Sequence, residues 1–309
     1  MTALLLLPLL LPCALPPLAR RANDRLPPVA ALWAVTACAV VLAGCSLAAL
    51  GLCLLTGLLE LPLFAALGEL IHPLRTGSDL LVLPAAAVSV GALALCAWTL
   101  ARSVLRQARA FRTARTEAGR GPAAGDLCVV ESVRPDAYAL PGRPHRIVVT
   151  TAMLRCLDGP EREALFAHER AHNQGGHHYF LAAAELAAHC HPALRPVRDC
   201  IRLAAERAAD EAAADRVGDR RLTARAIARA ALAAQAEPSG RPAFAAAATA
   251  GPVPQRVRAL LTGAPAPGRA GRPVAALLLV CAVVSSGASA TALADVHHRV
   301  EVAQGDQRP

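Results

Sequence analysis

Four long apolar runs constrain what this chain can fold into more than any other feature of its sequence. A helix needs about 20 apolar residues to cross the roughly 30 Å hydrocarbon core of a bilayer. The composition agrees, because 55% of the residues are hydrophobic and the mean hydropathy is +0.39, too apolar for an ordinary soluble protein. We therefore predict a mainly α-helical membrane protein with four transmembrane helices at about residues 2–19, 28–58, 80–101 and 273–294.

The first apolar run is the weakest of the four, because four prolines interrupt it. A signal peptide is the alternative to a retained helix. Signal peptides carry positive charge before their apolar core, whereas in this chain Arg20, Arg21 and Arg25 follow it. That order is typical of a helix that inserts with its N-terminus outside. We therefore interpret the run as a retained membrane helix.

Charged residues between the apolar runs predict which side of the membrane each loop occupies. Arginine-rich loops stay inside, and residues 20–25 are basic, whereas residues 60–79 carry three acidic residues and a single arginine. Arginines spaced three or four residues apart follow the third run, so residues 103–272 are predicted to form a cytoplasmic domain. The chain then divides into a membrane region (1–102), this domain (103–272), a fourth helix (273–294) and a short external tail (295–309).

The net charge indicates which partners the chain binds, and the positions of the cysteines indicate whether it forms disulfides. The net charge is +9, but the arginines lie along helices or beside apolar runs, which favours anionic lipid headgroups over nucleic acid. The arginine series after the third run fits a solvated helix face and headgroup contact equally well. Of the ten cysteines, six lie within apolar runs and four show no ligand spacing, so we expect free thiols rather than disulfides. We predict membrane lipids as partners and no nucleic acid.

The predicted cytoplasmic domain is α+β, mostly helical with a small sheet. Residues 127–133 and 146–151 are apolar and β-branched and are separated by Pro and Gly turns, which predicts two strands. Gly159 and Pro160 open a helix that the Gly175–Gly176 pair ends. Further helices are predicted at about residues 178–190, 196–217, 222–235 and 255–261.

The first of these helices contains the pattern His168-Glu169-Arg170-Ala171-His172. Residues four apart lie on one helix face, about 6 Å apart along the axis, so both imidazoles can reach one ion. Catalytic zinc takes three protein ligands and leaves a position for water, and Glu169 is placed to take the proton of that water. The pentapeptide also occurs by chance in helices that bind nothing. A third ligand is therefore the feature that discriminates.

The candidate for the third ligand lies on a later Ala-rich helix, where Glu206 and Asp210 share one face. We assign Glu206 to the metal and Asp210 to a supporting position, in which it accepts the free N–H of a ligand histidine and fixes its tautomer. The alternative is a solvated acidic face that pairs with Arg207 and Arg216.

The residues around the motif resemble a known family. The blocks from Tyr138 to Leu154 and from Glu161 to His172 are similar to gluzincin membrane zinc metallopeptidases of the HtpX and CAAX prenyl protease type. The four-span architecture with a cytoplasmic catalytic segment resembles the BlaR/MecR-type branch more closely. The resemblance covers about residues 126–261 and includes the acidic block as a third match. It therefore favours the metal interpretation of that block.

The resemblance implies a zincin-like metallopeptidase domain and a role for each matched residue. The implied roles are ligands of one Zn²⁺ per chain for His168, His172 and Glu206, base for Glu169 and support for Asp210. The segment 141–151 resembles the edge strand with which such enzymes hold an extended substrate. The candidate substrate-binding residues are therefore Arg146, Ile147, Val148 and Val149.

Two features depart from the family pattern. Arg170 occupies a position where relatives often carry an apolar residue. The antibiotic sensors of the BlaR/MecR type have a large external domain after the last span, where only residues 295–309 follow here. The activating signal is therefore left open.

The remaining titratable residues receive weaker roles. His177 and His178 follow the glycines that end the motif helix, and we expect an exposed, solvated pair rather than residues of the cleft. Arg220, Arg221 and His178 are candidates for stabilising an oxyanion, with no preference among them.

Together these patterns predict a zinc endopeptidase in the cell membrane that hydrolyses cytoplasmic or membrane-adjacent proteins, in regulatory signalling or protein quality control. Its partners would be a protein or peptide substrate and membrane lipids. The alternative is a catalytically silent membrane signalling partner that binds a repressor or an anti-sigma factor, although the intact base Glu169 argues against it. No oligomeric state is indicated.

Overall fold

The computed structural model describes residues 2–61, 79–120, 123–234, 252–263 and 270–305, which are mainly helical with one small sheet. The helices are α1 (Thr2–Leu10), α2 (Leu15–Arg25), α3 (Pro28–Leu59), α4 (Asp79–Arg120), α5 (Thr151–Cys156), α6 (Gly159–Gln174), α7 (His177–Cys190), α8 (Arg195–Val217), α9 (Arg220–Ala234), α10 (Val253–Thr262) and α11 (Arg272–Ala303). The strands are β1 (Ala123–Ala124), β2 (Leu127–Val130), β3 (Ala137–Leu140) and β4 (Arg146–Thr150). The predicted fold class is confirmed.

Within the described residues, four helical stretches are long and apolar enough to cross a membrane: Leu5–Arg25, Pro28–Leu59, Val82–Arg120 and Arg272–Ala303. The first is interrupted by a 3-10 turn at Leu11–Ala14 that joins α1 to α2. Proline lacks the backbone N–H that a continuous α-helix needs, and Pro12 lies in this turn. The third span continues without a break into the arginine series. Most of the acidic loop that predicts the topology, residues 62–78, lies outside the described residues.

The four strands form one sheet in the order β1-β2-β4-β3. Strands β2 and β4 are parallel, whereas β1 pairs with β2, and β3 with β4, in antiparallel fashion. Successive side chains of a strand face opposite sides of a sheet. Tyr138 and Val148 accordingly pack with Ala118 of α4, and Val149 packs on the other side with Leu165 of α6. Helix α6, which carries the histidine motif, is therefore held directly on the sheet.

The prediction that the segment 141–151 contains an edge strand is wrong for β4, whereas substrate binding by residues 146–149 stays a prediction. If each strand paired only with its neighbours in the sequence, β4 would lie at the edge of the sheet. Instead, β4 lies between β2 and β3 and hydrogen-bonds with both. No free strand edge is therefore available at any of the four candidate substrate-binding residues, which are Arg146, Ile147, Val148 and Val149. Arg146 instead donates from Nη1 to the main-chain oxygen of Ala118 at 2.9 Å, which ties the strand to α4.

The membrane helices and the segment that follows them share one hydrophobic core. Leu42 of α3 belongs to this core together with Val197 and Ile201 of α8. The rings of Trp33 on α3 and Phe180 on α7 meet edge to face, with centroids 4.8 Å apart. Helices α7 and α8 therefore pack directly against the membrane helices.

Side-chain contacts place the ends of the spans relative to α8. Arg207 of α8 donates a hydrogen bond to the main-chain oxygen of Asn23, and Asn23 donates from Nδ2 to the main-chain oxygen of Cys200 at 2.9 Å. A Cβ built on Gly271, just before α11, would lie 2.9 Å from the main-chain oxygen of Arg25. The end of the first span, the start of the last span and α8 thus lie at the same end of the helix bundle.

Candidate metal centre

Both ends of α6 are fixed by local contacts. Asp158 accepts from the N–H of Glu161 at 2.9 Å, and Glu161 accepts from the N–H of Asp158 at 3.1 Å, which forms a capping box. The buried Glu161 carboxylate also accepts from Arg225 at 3.0 Å and Arg229 at 2.7 Å. Burial raises the pKa of Glu161, but the N–H of Asp158 and the two guanidinium groups outweigh burial and lower it. At the other end, Gly176 turns the chain at a φ of +61°.

His168 and His172 lie one turn apart on α6, and their Nε2 atoms are 3.0 Å apart. Glu206 of α8 completes the cluster, with Oε2 3.4 Å from Nε2 of His168 and Oε1 3.7 Å from Nε2 of His172. Donor atoms of the three residues lie within 4.8 Å of one another, and each residue is at most 1% exposed. The structure therefore brings together the three residues that the sequence predicts as metal ligands.

The separations within this cluster fit a zinc ion. Zinc forms bonds of about 2.0–2.2 Å to nitrogen and oxygen, so ligand atoms at tetrahedral angles lie about 3.3–3.6 Å apart. The observed separations of 3.0, 3.4 and 3.7 Å lie around that range. Two imidazoles and one carboxylate are also a donor set typical of catalytic zinc, which keeps a fourth position for water.

Asp210 contacts His168, and Arg256 contacts both Asp210 and Glu206. Oδ1 of Asp210 lies 3.0 Å from Nδ1 of His168. Arg256 of α10 donates to Asp210 from Nε at 2.8 Å and from Nη2 at 2.6 Å, and its Nη1 lies 3.1 Å from Oε2 of Glu206. Burial raises the pKa of Asp210 and of Glu206, but the charge of Arg256 outweighs burial and lowers both. Both carboxyl groups are therefore ionised at neutral pH.

Arg256 is a residue of the site that the sequence does not reveal directly. The predicted short helix at 255–261 is observed as Val253–Thr262, but its arginines look equivalent in the sequence. Arg256 is fully buried, whereas Arg258 is exposed. The available signal is the helical spacing, because Arg256 lies on the face of α10 that buries Leu260. A charged residue in the middle of an apolar face requires a buried partner.

Glu169, the predicted base, is fully buried next to the first ligand. Burial lowers the pKa of Arg256, but Asp210, Glu206 and Glu169 raise it. The charges of three carboxylates thus act on one guanidinium group, and Glu169 lies within the same buried cluster of charges.

The prediction that His177 is exposed is wrong. The residue is 5% exposed, and its Nδ1 lies 2.7 Å from Nδ1 of His172. The turn at Gly176 begins α7 directly beside the end of α6, which brings the ring back to the metal-binding face. Burial, and to a smaller extent the neighbouring His172, lower the pKa of His177 to about 3, so the ring is neutral. His178 is partly buried.

Arg170, which departs from the family pattern, has a structural partner. Its Nε and Nη2 donate to Oδ2 and Oδ1 of Asp126 at 2.7 and 2.8 Å. Asp126 lies in the turn between β1 and β2, so this bidentate pair fastens α6 to the sheet. Asn173 adds a second tie, because its Nδ2 donates to the main-chain oxygen of Arg146 at 3.2 Å.

Arg220, one of the candidates for stabilising an oxyanion, is held by contacts with Glu211 and Leu260. Its two Nη atoms donate to Glu211 at 2.6 and 2.7 Å, and its Nε donates to the main-chain oxygen of Leu260 at 2.8 Å. The guanidinium group therefore braces α10 against α8 and helps to position Arg256.

Comparison with known proteins gives one partial match. The model of peptidase family M48 matches residues 101–193, a segment that contains His168, Glu169 and His172 but ends before Glu206. Neither the curated proteins nor the solved structures give a match to this chain. The family match, the cluster of candidate ligands and the four candidate spans support a membrane-type metallopeptidase.

Proposed function

We propose that this chain is a membrane-embedded zinc endopeptidase of the gluzincin type that binds one Zn²⁺ per chain. The observation that carries the proposal is the convergence of His168, His172 and Glu206 from two helices at separations that suit one tetrahedral ion. The M48 match over the histidine motif supports the same chemistry.

The arrangement assigns a task to each buried residue. Zinc bound there would polarise the scissile carbonyl and bring the pKa of a water molecule close to neutrality. Glu169 takes a proton from the attacking water and returns it to the leaving amine nitrogen. Asp210 would hold the ring of His168 so that its Nε2 can bind the metal, and the charge of Arg256 keeps Asp210 and Glu206 ionised.

We further propose a cell-membrane location with the catalytic segment on the cytoplasmic side. The basic residues 20–25 and the arginine series of α4 flank the spans, and residues 23–25 lie at the end of the bundle that holds α8. Trp33 and Trp98 are 63% and 66% exposed, which suits the amphipathic rings that anchor helices at a membrane interface.

The packing also supports a class of substrate. Because α7 and α8 rest on the membrane helices, we propose cytoplasmic or membrane-adjacent proteins as substrates, in regulatory signalling or quality control. The relationship to the BlaR/MecR-type branch stays a prediction from the sequence resemblance.

The test uses the purified full chain in detergent micelles, with zinc content and cleavage of an unfolded protein such as casein as readouts. We expect one zinc per chain. Glu169→Gln should keep the zinc and lower the rate about 10²–10⁴-fold, the usual contribution of a general base. Glu163→Gln is the matched control, because Glu163 lies on the same helix but is exposed. His168→Ala should lose both zinc and activity.

Two results would contradict the proposal: cleavage that survives Glu169→Gln, or zinc that survives His168→Ala. A zinc-loaded chain that cleaves nothing, and whose Glu169→Gln form keeps the native cellular phenotype, would instead identify the silent signalling partner.

A further inference from the structure

The second metal-facing histidine is in contact with a third histidine. Nδ1 of His172 lies 2.7 Å from Nδ1 of His177, and the two rings are tilted by 80° with centroids 4.9 Å apart. Two lone pairs, or two N–H groups, would repel each other at that distance. One ring therefore donates a hydrogen bond and the other accepts it.

The metal site decides the direction of this hydrogen bond. Nε2 of His172 faces His168 at 3.0 Å and Glu206 at 3.7 Å. A neutral imidazole that offers a lone pair to a metal at Nε2 carries its proton on Nδ1. The Nδ1–H of His172 then donates to Nδ1 of His177, which keeps its own proton on Nε2.

We propose that His177 is a positioning residue of the metal site, whose Nδ1 accepts the Nδ1–H of His172 and so fixes the tautomer and ring orientation that present Nε2 to the ion. This inference rests on the proposed function. Groups that accept the second N–H of a ligand histidine hold the ring in place and adjust its basicity. At His168 the carboxylate of Asp210 lies in the corresponding place, with Oδ1 3.0 Å from Nδ1.

The two ligand histidines thus have supports of different charge. Asp210 is a carboxylate, whereas His177 is a neutral imidazole. A carboxylate at position 177 would bring one more negative charge into a cluster that already contains Glu169, Glu206 and Asp210. An imidazole fixes the tautomer of His172 without that charge.

The chain makes room for the His177 ring at Gly175. The backbone there has a φ of −76°, which any residue adopts, so conformation does not require glycine. A Cβ at this position would lie 2.6 Å from Nε2 and 2.9 Å from Cδ2 of His177. Gly175→Ala should therefore displace the ring from His172. Gly159, at the other end of α6, has open space around a built Cβ and provides the matched control.

Two substitutions at position 177 separate the acceptor from the bulk of the ring. In His177→Asn, the side-chain oxygen can occupy the place of Nδ1 and accept the same hydrogen bond. In His177→Leu, a side chain of similar size offers no acceptor. His178→Leu is the control for removal of a neighbouring imidazole that makes no contact of this kind with His172.

Metal binding is measured on the full chain in detergent, by competition of the metal-free protein with a chelator for Zn²⁺ and by the visible absorption spectrum of the Co²⁺ form. We expect His177→Leu and Gly175→Ala to bind Zn²⁺ about 10–100-fold more weakly, the usual cost of losing such a support, and to show altered Co²⁺ bands. His177→Asn, His178→Leu and Gly159→Ala should bind and absorb as the native chain does.

Native zinc affinity and a native Co²⁺ spectrum in His177→Leu would overturn the inference. Equal losses in His177→Leu and His177→Asn would also overturn it, because the effect would then come from packing rather than from the acceptor. The proposed function fails in a different way, in which the native chain binds no zinc or His168→Ala binds it normally. If zinc binding requires His168 but is unchanged in His177→Leu, the proposed function stands and only the role of His177 is refuted.

Discussion

Removal of Arg256 is the perturbation that tests the electrostatics of the site most directly. The guanidinium group is fully buried and contacts Asp210 at 2.6 and 2.8 Å and Glu206 at 3.1 Å. Arg256→Met keeps an apolar stem but leaves two buried carboxylates without their cation. Loss of one partner of a buried ion pair costs about 3–5 kcal/mol. That cost is large beside the roughly 5–15 kcal/mol that keeps a typical domain folded.

The expected result is a lower urea midpoint for the chelator-treated chain in detergent, followed by far-UV circular dichroism. Arg258→Met is the matched control, because the same substitution two residues later falls on the exposed face of α10. It should change the free energy of unfolding by no more than about 0.5 kcal/mol. Arg256→Lys should fall between the two, because lysine keeps the charge but not the bidentate geometry.

The same substitution should shift the pH dependence of stability in a defined direction. Arg256 lowers the pKa of Asp210 and Glu206 against the effect of burial. A carboxyl group with a lowered pKa stabilises the fold above its unfolded pKa and loses that contribution as the pH falls through the folded value. Without Arg256 the effect of burial is no longer opposed by the guanidinium charge, so both pKa values rise. The stability lost in Arg256→Met should therefore be largest at neutral pH and become smaller as the pH falls and the two carboxyl groups are protonated. An Arg256→Met chain as stable as Arg258→Met at every pH would refute the reasoning.

Two further predictions concern the rest of the fold. Glu161→Gln should lower the free energy of unfolding at neutral pH, because the ionised carboxyl group has a lowered pKa in the folded chain. In urea titrations the loss relative to the native chain should be fully present above an unfolded pKa of about 4.3 and should vanish as the pH falls through the lowered folded pKa. The exposed control Glu163→Gln should show no such loss. Residues 103–272 expressed alone should not form a soluble zinc-binding domain, because Val197 and Ile201 would lose their contacts with the membrane helices and become exposed. Burial of each side chain contributes roughly 1.5–3 kcal/mol. A soluble monomer with one zinc, detected by sedimentation and metal analysis, would contradict this prediction.

The spans and the histidine motif are predictable from sequence because both are local patterns. An apolar run reports its own length, and His168 and His172 face the same way because four residues make about one helical turn. The start of α6 is equally local, since Asp158 and Glu161 cap each other across three residues. Such signals do not depend on the path of the rest of the chain.

The supports of the site are not predictable in this way, because they come from distant segments or from the shape of a turn. Arg256 reaches Asp210 only after α9 and α10 fold back onto α8. His177 is buried because Gly176 reverses the chain and Gly175 leaves space for the ring. The strand order likewise depends on long-range pairing, since β2 pairs with β4 and not with β3, the next strand in the sequence.

The charges of the site connect these distant supports to the ion that we propose. Glu206 and Asp210 place two ionised carboxyl groups in the interior in contact with the one positive charge of Arg256, and the carboxyl group of Glu169 is buried in the same cluster, so negative charge remains to be balanced at the candidate ligands. A divalent cation between His168, His172 and Glu206 supplies that balance. Burial lowers the pKa of His168, but Asp210 and Glu206 outweigh burial and raise it to about 9. The same carboxylates that attract a proton to this imidazole thus attract a dication in its place, and a neutral His177 leaves that balance unchanged.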